Sequence, residues 1–224
     1  MRLRRIKEPS LFALLFTAIS GTSLGLLLGV YLLLMAPARK AVAEPSEHEA
    51  ARPGVYQAYY IPGEPGVSET KNLRFSLNRL ARQMPGQIVF LERELNYFLS
   101  QFKAAETTAD GEAANVRMGS PNIRVLEEGF VLSLPLTIDP NNKRFDLTIQ
   151  SFGHFEPSEN GPKLVVDKLL LNSLPLPLGV GGSAVVGSFL SQVPLEEDLV
   201  NAWKAIQQID SKDGSFVIQV GSAG

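Results

Sequence analysis

Between Asn122 and Leu178 apolar and polar positions alternate in short runs. Phe130, Leu132, Leu134, Leu136 and Ile138 fall on every second residue, as do Phe145, Leu147 and Ile149 in the run to Gln150, and Leu164–Leu171 follows as a denser apolar stretch. Alternation gives each run one apolar face, so it predicts strands. Glu127-Glu128-Gly129, Asp139-Pro140-Asn141-Asn142 and Glu159-Asn160-Gly161-Pro162 separate the runs with residues that accept tight or left-handed turns. The expectation is an antiparallel meander.

Around it the period lengthens. Leu73, Leu77, Leu80 and Met84 are spaced four, three and four apart, predicting a helix capped by Ser68. Its other face carries Lys71, Arg74, Arg79 and Arg82 with Phe75 among them, which suits either solvent or an anionic headgroup surface. A strand at Gln87–Leu91 leads into a helix over Glu92–Phe102, where Leu91, Leu95, Phe98, Leu99 and Phe102 share a face and Glu92 and Glu94 complement the helix dipole. Residues 103–119 read as a polar loop. Beyond the meander, Val185, Val186, Phe189, Leu190 and Val193 predict a helix ended by Pro194. Glu196, Glu197 and Asp198 open another, with Leu199, Val200, Trp203 and Ile206 facing inward. A hairpin of Ile206–Asp210 and Ser215–Val220 turns at Asp213-Gly214. The fold class is α+β: an antiparallel β-meander packed with short helices, after one N-terminal transmembrane helix.

That transmembrane helix is Leu11–Met35, 25 residues without a charge. As a helix it is about 37 Å long, against a hydrocarbon core of about 30 Å. Arg2, Arg4, Arg5 and Lys7 precede it and only Arg39 and Lys40 follow closely, so the positive-inside rule places the N-terminus in the cytoplasm and the rest outside. Ala41-Val-Ala43 resembles a signal-peptidase site and leaves cleavage open, although the apolar run is longer than a signal peptide needs. The organisation expected is a cytoplasmic basic tail at 1–10, the membrane helix at 11–35, a Pro/Gly-rich tether at 36–68 and an extracytoplasmic α+β domain at 69–224. Gly21, Gly25 and Gly29 recur every fourth residue and offer one face for helix pairing, hence self-association in the membrane.

Charge narrows the partners. Residues 1–43 hold six Lys/Arg and one Glu, whereas 44–224 hold fifteen Lys/Arg and twenty-two Asp/Glu. An acidic domain is a poor polyanion binder, so no nucleic acid partner is expected. With no cysteine there is neither a disulfide nor a thiolate site. Gly179-Val-Gly181-Gly182-Ser-Ala184 matches a dinucleotide fingerprint in spacing, but hairpin-linked strands are the wrong context for it. His48 and His154 are the only histidines, and Glu196, Glu197 and Asp198 splay about 100° apart on a helix. No catalytic, cofactor or metal residues are expected, and the protein reads as a non-enzyme.

Glu94-Leu-Asn96 after a short strand, the Phe130–Ile138 strand, Leu171-Asn-Ser-Leu-Pro-Leu-Pro-Leu178 and the ending Gly214-Ser-Phe-Val-Ile-Gln-Val220 together set a layout. Over residues 86–220 it resembles the YpmS-like group of bacterial envelope proteins. That resemblance implies one membrane helix, a small outward α+β domain and no catalytic residues. A looser likeness to tubular lipid-binding domains is fold analogy alone. If the helix closes over the meander, Leu95, Phe98, Leu99 and Phe102 face Leu132, Leu134 and Leu136 across an apolar groove. The expected function is binding of a lipid-like or apolar ligand at the inner membrane, or else holding an envelope complex together as a scaffold.

Overall fold

The computed structural model describes residues 11–43, 58–101, 115–139, 144–178, 197–212 and 214–221. The basic tail, Phe102 and the helix expected at 185–193 lie outside them. The fold is α+β, with antiparallel sheets following one long apolar helix. That helix, α1 (Leu11–Met35), stands open from Thr17 onward, and its Thr17–Met35 stretch is long and apolar enough to cross a membrane.

The meander forms as its alternation predicts. Strands β4 (Asn115–Met118), β5 (Asn122–Leu126), β6 (Gly129–Asp139), β7 (Phe145–Glu156), β8 (Lys163–Leu171) and β9 (Leu174–Leu176) make one antiparallel sheet in which β4 and β5 share an edge of β6. Two of these strands depart from the reading above. β4 lies inside the expected loop, and β7 runs six residues past Gln150, because a bulge opposite Phe152 and Gly153 lets the ladder with β8 continue.

A second sheet decides the core. β3 (Gly86–Leu91) pairs with β11 (Ser215–Val220), which pairs with β10 (Ile206–Lys212). This three-stranded sheet packs on the apolar face of the meander, bringing Ile88, Phe90, Ile209, Phe216 and Ile218 against Val125, Phe130, Leu132 and Leu169. Helix α2 (Lys71–Ala81) adds Leu73, with Leu77 and Leu80 beside it. Its cap is Thr70 and not Ser68, because the extended backbone of Thr70 lets its hydroxyl accept from Leu73 N at 2.9 Å. Met84 falls past the helix end and is exposed. Helix α4 (Glu197–Trp203) buries Ala202 and leaves Val200 and Trp203 exposed, while Ile206 belongs to β10, so the inward face expected there is corrected. Gly161 approaches the Trp203 backbone with φ +94°, and Trp203 Nε1 donates to Pro162 O.

Candidate functional site

Helix α3 (Glu92–Ser100) does not lie across Leu132, Leu134 and Leu136 as the sequence suggests. It lies on β3 and β5, and its most buried side chains are Glu92, Glu94 and Asn96. Each is saturated with hydrogen bonds. Glu92 accepts from Val125 N at 2.6 Å and from Glu64 N. Asn96 spans Ile123, accepting from its N–H and donating to its carbonyl, and also donates to Glu64 O at 2.8 Å. Glu94 accepts from Thr70 Oγ1, Asn72 Nδ2 and Leu91 N. Burial pushes the Glu94 carboxyl up, but these bonds together outweigh it and hold the group below its ordinary value. The motif Glu94-Leu-Asn96 is therefore a lacing device that satisfies backbone groups of Ile123, Glu64 and Leu91 and the side chains of Thr70 and Asn72.

The same lacing changes the reading of the tether. Its described parts are bound to the domain. Arg39–Lys40 (β1) pairs in parallel with Tyr59–Tyr60 (β2), and Ala58 N donates to Ser173 Oγ at 3.0 Å. Five residues on, Gly63 N donates to Asn122 Oδ1 at 2.7 Å. Asn122, Ser133, Gln150, Leu170 and Pro175 are register partners in one row across β5, β6, β7, β8 and β9. Five extended residues reach about 17 Å, and from β5 to Ser173 in the β8–β9 turn is between three and four strand spacings, about 14 to 19 Å. Residues 58–63 therefore form a strap across this row, on the face away from the core, where Ser133, Gln150 and Leu170 are buried. A side chain on Gly63 would strike Ile123 O, and one on Gly66 would strike Arg93 O and Tyr97, so these glycines serve close approach instead of flexibility.

The strap ends at a junction with the apolar helix. Asn172, in the two-residue turn between β8 and β9, has φ +53° and is buried. Its Oδ1 accepts from Thr148 N, its own N–H donates to Thr148 O, and its Nδ2 donates to Leu34 O at 2.7 Å. Asparagine tolerates the left-handed conformation, and its amide extends the ladder to β7 while holding the last turn of α1.

A half-open cleft of about 420 Å³ lies at the other end of the meander. Phe130, Phe155 and Phe216 form its floor, with centroids 5.2 to 5.8 Å apart, and Trp203 meets Phe155 edge-on at 5.9 Å. Glu127, Glu128, Asp210, Ser211 and His154 stand around it. Gly129, at φ +124°, brings its N–H onto Ser211 Oγ at 2.5 Å. Asp167 is the extra residue of the β8 bulge and meets His154 Nδ1 at 2.9 Å, while Nε2 faces Glu156 at 3.5 Å. Above all the Asp167 bond raises the His154 pKa. Carboxylates facing both nitrogens favour the protonated ring, the form that has no lone pair for general-base work.

Among the described residues the expected groove does not form. Leu132 is sealed under the three-stranded sheet, with Leu95 and Leu99 at the margin of that core; Leu134 is buried outside the cluster and Leu136 is half-buried. Phe98 is half-buried, and Phe102 lies outside the described residues. A Cβ built on Gly21, Gly25 or Gly29 meets nothing within 4 Å, so that helix face is open. Among the described residues no group of His, Asp and Glu is arranged to hold a metal. No family model matches the chain, and no curated protein matches its sequence. The likeness to the YpmS-like group thus rests on the residues quoted for it.

Proposed function

We propose that the chain is a single-pass membrane protein with a cytoplasmic N-terminus, whose extracytoplasmic domain works by binding and not by chemistry. The ligand has an apolar body and a cationic end. The observation that carries this reading is the cleft: half-buried Phe155, backed by the buried Phe130 and Phe216, offers an apolar aromatic floor, and Glu127, Glu128 and Asp210 supply negative charge at its rim. His154 has carboxylates at both ring nitrogens, and Ser211 Oγ is bonded to Gly129 N and Glu127 O, which supports a non-enzymatic role. The charge around Leu11–Met35 supports the orientation, in the inner membrane of a cell envelope.

Trp203 is the single tryptophan and touches Phe155, so its fluorescence reports on the cleft. The full chain in lipid nanodiscs is titrated with hexylammonium and, separately, hexanoate. Hexylammonium should change the emission saturably, hexanoate should not, and Asp210→Asn should weaken the response. Equal, non-saturating responses to both would sink the cleft reading. A second reading, an envelope scaffold that assembles through its membrane helix, is favoured by the open face of Gly21, Gly25 and Gly29.

A further inference from the structure

We infer that the edge strand β9 and the residues after it, Leu174–Leu178, are a second membrane contact, lying in the headgroup layer of the bilayer that α1 crosses. The inference rests on the spanning role of α1 proposed above and adds a surface that this role does not require.

Height comes first. The uncharged helix Leu11–Met35 is about 37 Å long against a hydrocarbon thickness of about 30 Å, and Arg39 and Lys40 mark its outer end four and five residues past Met35. Leu34 therefore sits at the outer hydrocarbon boundary. Asn172 Nδ2 is bonded to Leu34 O, and β9 itself lies against α1, so this edge of the sheet stands at the same level. The headgroup layer is only about 5 to 7 Å deep on each side, which leaves β9 inside it.

Its chemistry suits that place. Leu171 and Leu174 close a two-residue turn, so the N–H groups of Leu174 and Leu176 point to β8. Pro175 and Pro177 occupy the alternate positions, and proline has no N–H. The outer edge of β9 consequently presents no donor that would be left unpaired in a poorly hydrated layer. Pro175 and Pro177 are exposed, Leu174 and Leu176 half-buried, and Leu178 is 41% exposed. Such an apolar edge is costly in water and favourable at an acyl boundary. Polar anchors surround it. Arg39 N donates to Ala58 O, and Ala58 N to Ser173 Oγ, which brings the exposed Arg39 and Lys40 beside the hairpin for anionic headgroups. Tyr31, Tyr59 and Tyr60 give the aromatic belt expected at such a boundary.

The chain has no cysteine, so single-cysteine variants label cleanly. Leu178→Cys, Leu27→Cys and Glu159→Cys are each made in the full chain, labelled with an environment-sensitive fluorophore and reconstituted into phosphatidylcholine–phosphatidylglycerol vesicles. The quenchers are lipids bearing a nitroxide near the headgroup or near the acyl end. Glu159 lies in the β7–β8 turn, at the far end of β8 from the β8–β9 hairpin, and reports the background. Leu27 should be quenched by the deep nitroxide, and Leu178 several-fold more than Glu159 by the shallow one. Quenching at Leu27 with Leu178 no different from Glu159 overturns the contact while keeping the span. No quenching at Leu27 refutes the span, and the contact with it.

Discussion

Asn172 donates its side-chain amide to the carbonyl of Leu34 at 2.7 Å, joining positions 138 residues apart in sequence. One buried asparagine thereby connects the apolar helix to the centre of a sheet, and it also supplies the left-handed turn and two bonds to Thr148. Asn172→Ala removes all of the amide bonds and strains the turn. Chemical denaturation should show a loss of about 2 to 4 kcal/mol, from an unpaired buried N–H and a disfavoured φ. Asn172→Gly, which tolerates the turn, should lose less, and equal losses would rule out turn strain as a contributor.

Gly63 has no room for a methyl group between Ile123 O and Glu92. Gly63→Ala should lift the strap or shift β5, destabilising the domain by about 1 to 3 kcal/mol. Limited proteolysis of the variant should release α1 from the domain earlier than in the parent. An unchanged digestion pattern would mean that the strap contributes nothing.

Leu134→Trp distinguishes a packed face from a groove. Leu134 is buried, and the neighbouring β6 face is already filled by the three-stranded sheet, so overpacking should cost about 1 to 3 kcal/mol. A fluorescent fatty acid should not be taken up by the parent domain. Neutral stability together with parental uptake would restore the groove.

His154 gives a pH signature with a definite sign. Its folded pKa is raised, chiefly by Asp167, so its contribution to stability is complete below the unfolded value of about 6.5 and is lost as pH rises through the folded value. Asp167→Asn should bring the imidazole titration, followed by NMR, back toward the unfolded value. The difference in melting temperature between parent and His154→Gln should shrink as the solution becomes alkaline. A difference that grows with pH would reverse the assignment.

Gly25 lies mid-way along the open glycine face. Gly25→Leu should reduce any self-association of α1 in a membrane two-hybrid reporter, because the side chain would hold two backbones apart. An unchanged signal would place any pairing on another face.

Certain features depended only on local order in the chain. The length of Leu11–Met35 determines a helix that can cross a bilayer, and alternation from Phe130 to Ile138 determines a strand with two unlike faces, because both follow from backbone geometry and nearest neighbours. The turns at Gly129 and Gly161 were legible for the same reason, since positive φ is a property of single residues. What lies against those faces was not legible. Only the tertiary structure sets β3 beside the C-terminal hairpin, puts that sheet where α3 was expected over Leu132 and turns the polar side of α3 inward. Glu92, Glu94 and Asn96 look like a solvated helix face until the unpaired N–H and C=O groups of β5, Glu64 and Leu91 come within reach, and periodicity carries no record of those orphan groups. Gly63 and Gly66 likewise read as linker by composition, and only the backbone of Ile123 and Arg93 closing upon them makes glycine a requirement of packing.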